Sequence, residues 1–549
     1  MKKVILILIP IILLLSLINY FRAPIAINLI SFINNQINSV NENINIEWDI
    51  PDNIDIDKSK PNIILILADD LGFNDISFYG GGAADGTLMT PHIDSIAKTG
   101  IAFNNGYAAS AACSPSRAAI LTGRYSTRFG FDFTPYPKTA TRLLNIIGNR
   151  NYDKSLPPLT LDNVDWDQVG LFVAGMPSEE ITIAELLQQN GYYTAHIGKW
   201  HLGAFVDGKK PNDQGFDDSL LMTSGLYLPK DHPDVVNAKK DHPVEDMIWA
   251  STYYGSNFND SDEFKPNGYL TDYYTEEAVK VINNNKDRPF FLYLSHWAPH
   301  NPLQALRSDY EKHSHMGDHT LEVYSGMITA LDRGVGKVIE ALEKNGLSDN
   351  TLIIFTSDNG GAGYIGLKDI NKPYRGWKLT FFDGGIHIPF LAKWPDKIKP
   401  GSVYDKRIHH VDIFHTILGA ANINPPKDVI YDGVNLLPYI DNNSDLEPHE
   451  TLYWKDQSYQ AIIHKNWKLI RSQIPKKQYL FNLDTDPYEA VNLIENELEV
   501  KQLLNMLLNE HISQQIEPIW PPSIATPVLI DKVSTDKYVE GDEVNYWIN

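Results

Sequence analysis

Apolar runs that end abruptly in acidic, basic or imidazole side chains constrain this chain more than any other feature. Residues 62–68 (NIILILA) run into Asp69-Asp70, and 192–197 (YYTAHI) into Lys199 and His201. Residues 289–294 (PFFLYL) run into His296 and His300, and 351–356 (TLIIFT) into Asp358-Asn359. Short runs without polar alternation read as buried strands. Helical patterns lie between them. Residues 182–190 open on a Thr182/Glu185 capping box and stop at Gly191, and 321–345 keep an amphipathic period up to Gly346. This alternation specifies an α/β fold, a large mixed and mostly parallel sheet flanked by helices. Ligand sites in such sheets gather beyond the carboxyl ends of the strands, so the four polar endings are expected to form one site.

The pattern changes after Tyr439. Short alternating segments at 451–454, 460–464, 467–470 and 479–482 read as antiparallel strands, followed by a helix at 497–510. They predict a smaller C-terminal α+β subdomain with an antiparallel sheet. The Pro-rich tail from Ile516 is expected to wrap the surface. At the other end, Met1-Lys2-Lys3 precedes an apolar run from Val4 to Ile18, the layout of a secretory signal or a membrane anchor. The expected organisation is a leader at 1–24, a spacer at 25–60, a catalytic domain at 61–440 and the C-terminal subdomain and tail at 441–549. The protein is then exported and periplasmic, secreted or held at the cell surface. A net charge of −22 excludes general nucleic-acid binding and requires a local basic pocket for any anionic substrate.

Asp69, Asp70, Asp358 and Asn359 offer hard oxygen ligands, which suit Ca²⁺ or Mg²⁺ rather than zinc. The single cysteine, Cys113, excludes an intramolecular disulfide. It opens the run Cys113-Ser114-Pro115-Ser116-Arg117-Ala118-Ala119-Ile120-Leu121-Thr122-Gly123-Arg124. Pro115 suits the first turn of a helix and Gly123 its end. The helix would then aim its partially positive N-terminus at Cys113, with Arg117 one turn along.

Cys-x-Pro-Ser-Arg followed by Leu-Thr-Gly resembles the signature of the type I sulfatases of the alkaline-phosphatase superfamily. The resemblance extends through Gly198-Lys199-Trp200-His201, Ser357-Asp358-Asn359-Gly360, Arg375-Gly376-Trp377-Lys378, Trp467-Lys468-Leu469 and the stretch from Tyr479 to Pro487. Pro299-His300-Asn301-Pro302-Leu303-Gln304 is similar to the arylsulfatase B branch. The resemblance implies that a formylglycine-generating maturation enzyme oxidises Cys113 to Cα-formylglycine (3-oxoalanine). The hydrated aldehyde would attack sulfur, pass through a covalent sulfate hemiacetal and release inorganic sulfate. Asp69, Asp70, Asp358 and Asn359, with residue 113, would hold one divalent ion, usually calcium. Arg117 would hold the formylglycine oxygen, and Lys199 and Lys378 the sulfate. His201 would serve as the base and His300 as the acid.

His296 is expected to pack or to support the site from behind. The family often carries Glu-Gly-Gly-x-Arg where this chain has Asp383-Gly384-Gly385-Ile386-His387, which removes an arginine from the leaving-group side. Trp297 or Trp377 is expected to stack on a sugar ring. The regions 124–181 and 225–274 are expected to shape the cleft. The expected substrate is a sulfated carbohydrate, a hexose or hexosamine sulfate with 4-O-sulfate the favoured position. Two alternatives are a phosphate or phosphonate ester hydrolase of the same superfamily, and a sulfated-glycan-binding protein without catalysis.

Overall fold

A computed structural model describes residues 40–50, 59–84, 86–136, 156, 159–160, 167, 169–440 and 446–549. The expected leader at 1–24 and most of the spacer lie outside these residues, as does much of 124–181. No helix among the described residues is long and apolar enough to cross a membrane.

Nine strands among the described residues form one sheet. They are β1 (Asn62–Ala68), β2 (Ile101–Phe103), β3 (Tyr193–Gly198), β4 (Asp218–Gly225), β5 (Tyr254–Phe258), β6 (Phe290–Ser295), β7 (Thr351–Ser357), β8 (Phe390–Lys393) and β9 (Ser402–Tyr404). Their order across the sheet is β9-β2-β8-β7-β1-β6-β3-β4-β5. The central run β7-β1-β6-β3-β4 is parallel throughout, and antiparallel pairs appear only on its two sides. All four strands expected from the sequence lie in that run, in adjacent positions β7-β1-β6-β3. Every residue of the four is buried, which is why their sequences show no polar alternation.

Helices cover both faces. They are α1 (Pro91–Thr99), α2 (Cys113–Thr122), α3 (Ile183–Gln189), α4 (Pro243–Ser251), α5 (Leu270–Asn284), α6 (His319–Lys344), α7 (Val411–Ala420) and α8 (Leu498–Ser513). Successive residues of β1 serve opposite layers. Ile64 and Ile66 join the core with α1, α5 and α6, while Ile63, Leu65 and Leu67 join the core with α2, α3 and α7. The register then levels the strand ends: Ala68 pairs with Ser357, Leu67 with Ser295, and Gly198 with Ser295. The residues after β1, β3, β6 and β7 therefore leave the sheet at one rim.

The C-terminal region forms a second, antiparallel sheet in sequential order: β10 (Thr451–Lys455), β11 (Tyr459–His464), β12 (Trp467–Gln473) and β13 (Lys476–Asn482). Its outer face carries Leu469 and Leu480 against Leu504 and Leu508 of α8. Its inner face carries Ile470, Tyr479 and Phe481 against Tyr107, Phe381 and Phe382. Lys468 points inward as well and is fully buried. Its Nζ lies 2.5 Å from Asp383 Oδ1 and 2.7 Å from Glu489 Oε1.

The tail departs from expectation. It builds β14 (Ile524–Leu529) and β15 (Val544–Ile548), and Leu159–Thr160 completes a three-stranded sheet. Among the described residues, Ile524 and Ala525 pair with Leu159–Thr160, and Pro527 pairs with Tyr546 of β15.

Two stability predictions follow from buried charge. Lys468→Met removes the ammonium shared by Asp383 and Glu489 and leaves the Asp383 carboxylate, among the described residues, only His387 Nδ1 and the Tyr107 hydroxyl, each at 3.2 Å, and we expect a loss of about 3–5 kcal/mol. An unchanged unfolding temperature would show that this cluster holds nothing together. Asp456, in the β10–β11 turn, accepts 3.0 Å bonds from the Ser458 and Tyr459 backbone N–H groups, and burial pushes its carboxyl up to about 8. The native state thus keeps a proton that the unfolded chain releases near 3.8, so this contribution fades as pH rises from about 4 through about 8. Asp456→Asn keeps a neutral acceptor. It should raise the unfolding temperature more at about pH 9 than at about pH 5, and an equal shift at both would refute a protonated Asp456.

Candidate active site

The four strand extensions meet the N-terminus of α2. Cys113 is the first residue of that helix, and Gly123 ends it in a left-handed conformation at φ 68°, as the sequence predicts. The Cys113 Sγ lies 3.6 Å from Asp69 Oδ1, 3.8 Å from Asp70 Oδ1 and 3.1 Å from Lys378 Nζ. Arg117, one turn along and fully buried, donates from Nε to Asp358 Oδ2 at 2.9 Å. Its Nη2 reaches the same oxygen at 2.7 Å and Asp69 Oδ2 at 3.2 Å, and its Nη1 donates to the Lys199 carbonyl at 3.2 Å. One guanidinium therefore ties together the ends of β1, β3 and β7. Its Nη1 also donates to Ser295 Oγ at the end of β6.

Two lysines reach in from other segments. Lys199 Nζ lies 2.6 Å from Asp69 Oδ2. Lys378 Nζ donates to both Asp70 oxygens at 2.7 and 2.8 Å and stands 3.4 Å from His300 Nε2. The His300 Nδ1 lies 2.6 Å from the Asn301 carbonyl, so Nδ1 carries the proton and Nε2 faces the site. Burial pushes His300 well below its ordinary range, against the opposing pull of Asp70. Burial, with Lys199, Arg117 and Lys378, pushes His201 well below its range too. Both imidazoles rest neutral near pH 7. Burial and the Asp358 charge raise Asp69 to about 7, whereas for Asp70 the effect of burial is outweighed by Lys378, and its pKa falls.

The backbone here is held in uncommon conformations. Asp70, His201 and Leu379 have φ of 61°, 63° and 69°, in the left-handed region that costs a residue with a Cβ about 1–2 kcal/mol. Asp70 N–H is anchored on Asp358 Oδ1 at 3.2 Å, and Leu379 N–H on the Ala111 carbonyl at 2.8 Å. Gly198, at φ 108°, has no alternative: a Cβ there would lie 2.0 Å from the Ser295 carbonyl oxygen.

The donor set fits a divalent cation. Ligand atoms of Asp69, Asp70, Cys113 and His300 lie within 4.8 Å of one another, all buried. The Asn359 Oδ1 is buried without a hydrogen-bond partner, while its Nδ2 donates to Asp70 Oδ1 at 2.7 Å. An unpaired buried carbonyl oxygen beside carboxylates is an arrangement that hard cations complete.

The structure thus brings together Cys113, Arg117, Lys199, His300, Lys378, Asp69, Asp70, Asp358 and Asn359, and the His201 pKa registers their charges. It corrects two expectations. Trp297 is not an open sugar platform. It is buried, its ring stacks on His300 at 3.8 Å, its N–H is spent on the Gly225 carbonyl at 2.8 Å, and Lys199 Nζ lies 4.7 Å from its centroid. Trp377 is 6% exposed and packs against Gly363, so it has no free face either. His296 is fully buried with both ring nitrogens unpartnered, as a packing residue. His387 is also buried, stacked 4.0 Å from Tyr374 and bonded to the Asn104 carbonyl at 2.8 Å.

Several site residues escaped sequence reasoning. Tyr364 donates to Asp70 Oδ2 at 3.3 Å. Tyr136 feels the charges of Lys378, Cys113 and Asp70. His410 Nδ1 sits 2.9 Å from Ser116 Oγ. Glu245 accepts from Asn301, and Tyr227 O–H donates to the His300 carbonyl at 2.8 Å, so the 225–274 region braces the His300 loop.

A parallel sheet with acids, a basic clamp and a cysteine-headed helix at one rim defines a hydrolase of the alkaline-phosphatase type. The sulfatase family profile matches residues 61–423, and the profile of the N-sulphoglucosamine sulphohydrolase C-terminal region matches 376–517. The chain is 33% identical over 428 residues to the uncharacterized sulfatase YdeN of Escherichia coli K12, covering 72% of this chain and 69% of YdeN. It is 32% identical over 418 residues to N-acetylgalactosamine-6-sulfatase of Canis lupus familiaris, covering 74% and 71%. The crystal structure of Ps i-CgsB in complex with k-i-k-neocarrahexaose superposes with a TM-score of 0.69 at 29% identity, covering 84% of this chain and 94% of that one. This chain belongs to the sulfatase family: it is a type I sulfatase and hydrolyses sulfate esters.

Arg117→Ala leaves Asp69 and Asp358 buried without their shared cation. We expect sulfate release to fall by at least about a hundredfold, the scale of losing one preorganised charge at a reacting centre, together with a lower unfolding temperature. Activity within about tenfold of the parent would show that the guanidinium does not organise the site.

Proposed function

We propose that this sulfatase desulfates an exported or extracellular sulfated carbohydrate, using a formylglycine made from Cys113. The observation that carries this reading is the place of Cys113: buried at the head of α2, within a Cys-x-Pro-Ser-Arg run, with Sγ 3.1 Å from Lys378 Nζ and beside Asp69 and Asp70. Burial drives the Cys113 pKa upward and keeps the unmodified thiol protonated, so a formylglycine at this position would supply the nucleophile that the thiol does not. Once formed and hydrated, formylglycine supplies one hydroxyl to attack sulfur and a second whose deprotonation expels sulfate.

The chain's own groups fit the remaining tasks. Lys199 and Lys378 are placed to bind the sulfate oxygens as fixed charges. Arg117 orients the side chain at 113 and keeps Asp358 ionised. His201, neutral at rest, is the imidazole free to accept a proton once sulfate charge offsets the lysines around it. His300 turns Nε2 to the site; to protonate the departing sugar oxygen, Nε2 must first take up a proton, for which the Lys378 ammonium at 3.4 Å is the adjacent donor and Asp70 Oδ2 at 3.5 Å favours the charged ring. That proton matters because an alkoxide is a poor leaving group. Asp69, Asp70, Asp358 and Asn359 would hold a calcium ion, which offsets sulfate charge.

Support for a carbohydrate comes from relatives described as acting on N-acetylgalactosamine sulfate and from the oligosaccharide held by Ps i-CgsB. The His300 segment favours the 4-O position and the N-acetylgalactosamine-6-sulfatase relatives the 6-O position. Met1-Lys2-Lys3 and the apolar run after it support export.

Protein produced with and without a formylglycine-generating enzyme should be assayed for sulfate release. The panel is 4-O- and 6-O-sulfated galactosides and hexosaminides, an aryl sulfate and a matched phosphate ester. Activity should require the maturation enzyme, disappear in Cys113→Ala, fall on calcium removal and favour a sulfated sugar. Turnover of the phosphate ester alone, or full activity with an intact thiol at 113 by mass spectrometry, would overturn the reading.

A further inference from the structure

Away from the catalytic rim, the outer face of the C-terminal sheet carries a cavity of about 930 Å³ between β12, β13 and the approach to α8. Parity along β12 sets its direction. Lys468 and Ile470 point inward to the catalytic domain, so Leu469 and Arg471 point outward to α8, where Arg471 Nη1 donates to Asn505 Oδ1 at 3.2 Å. The cavity therefore opens on the side turned away from the sulfatase site.

Its lining runs against the charge of the protein. The chain carries 69 acids and 47 bases, yet this cavity presents Arg471, Lys476, Lys477 and Lys501 with Glu495 as its lone carboxylate. Lys477 is paired with Glu543, and Lys501 is 3.9 Å from Glu495. Arg471 and Lys476 form no ion pair among the described residues. The Arg471 guanidinium is held only by neutral carboxamides, Gln460 and Asn505, and its burial disfavours the charge. A half-buried guanidinium without a carboxylate costs stability that a salt bridge would return, and its planar fork matches an oxyanion. Gln473 and Gln478 add further carboxamides, which exchange hydrogen bonds with hydroxyl groups. Fixed cations set among carboxamides, in a cavity at the upper end of the usual size range for ligand sites, match a sugar chain bearing sulfate groups.

We infer that this groove is a second, non-catalytic binding site for a sulfated carbohydrate chain, with Arg471 and Lys476 its anion contacts. It would hold a polymer to an acidic protein that otherwise repels it. The inference rests on the carbohydrate reading for its substrate but is measured by binding, so the two fail separately.

The probes are a sulfated galactan and chondroitin sulfate, each beside its chemically desulfated counterpart. Binding is read by affinity electrophoresis and calorimetry on Cys113→Ala protein, which cannot turn the probe over. Adding Arg471→Gln and Lys476→Gln should weaken binding of at least one sulfated polymer about tenfold at low salt, with the difference shrinking as salt screens it. In the active enzyme the same pair should raise KM for the polymer while leaving kcat and turnover of a sulfated disaccharide unchanged, and the unfolding temperature should not fall, since the buried charge that costs stability is gone. Unchanged polymer binding in the double variant would overturn the inference. Equal loss for the desulfated chains would do so too, as would displacement of the polymer by inorganic sulfate at the same sulfate concentration, which marks a simple anion site. Absence of any turnover with the binding loss intact would sink the carbohydrate-sulfatase reading and leave the groove standing.

Discussion

The buried Arg117 guanidinium is the interaction on which the active rim depends. Parallel strands place their carboxyl ends side by side but leave the residues beyond them free to diverge. Arg117 removes that freedom, because one planar group bonds to Asp358, to Asp69, to the Lys199 carbonyl and to Ser295. Removing such a charge from water is expensive, and only a full set of partners in good geometry returns the cost. The same requirement fixes α2, since the arginine and Cys113 sit one turn apart on one helix. Left-handed backbone at Asp70 and His201 is tolerated because these bonds over-determine the positions of the loops.

The C-terminal sheet supplies the second brace. Lys468 links β12 to Asp383, the first residue of the short helix Asp383–Ile386, and to Glu489. That helix in turn orders the Lys378 loop. Gly384 N–H donates to the Arg375 carbonyl at 2.7 Å, and Gly360 N–H to the Gly385 carbonyl at 3.0 Å. Lys378 and Asn359, from distant parts of the chain, are thereby positioned through one ammonium that touches neither. This gives the Trp467-Lys468-Leu469 motif a physical role in a site it does not enter.

Legibility in the sequence follows from locality. Strand β1 was readable to its last residue, and the capping box at Thr182/Glu185 appears as written, with Thr182 Oγ1 accepting from Glu185 N–H. Helix α2 was readable because Pro115 and Gly123 punctuate it. These signals lie within one segment. Tyr364, Tyr136 and His410 were illegible because nothing near them in sequence distinguishes a site tyrosine or histidine from a packed one; only the fold carries them to Asp70 and Ser116. The tryptophans were misjudged for the converse reason. Their place in motifs was visible, but whether a ring face is open depends on His300 stacking over Trp297, a contact between side chains and not a sequence pattern. The tail was read as a surface wrap because it is Pro-rich, and its strands were illegible because β14 finds its partner β15 well along the chain, outside any local pattern.

Charge balance gives the site its remaining logic. Asp69, Asp70 and Asp358 face Arg117, Lys199 and Lys378, so carboxylates and cations match in number and each lysine is already engaged. A cluster so balanced has little attraction for an anionic ester, and the protein around it carries −22. An ion of charge +2 held by Asp69, Asp70, Asp358 and Asn359 would make the cluster net positive and would leave the lysine ammonium groups to an incoming anion. The unpartnered Asn359 oxygen marks where such an ion would find a further ligand. In this fold the acids that oppose an anionic substrate would, by holding a divalent ion, be the means by which the site becomes positive enough to take it.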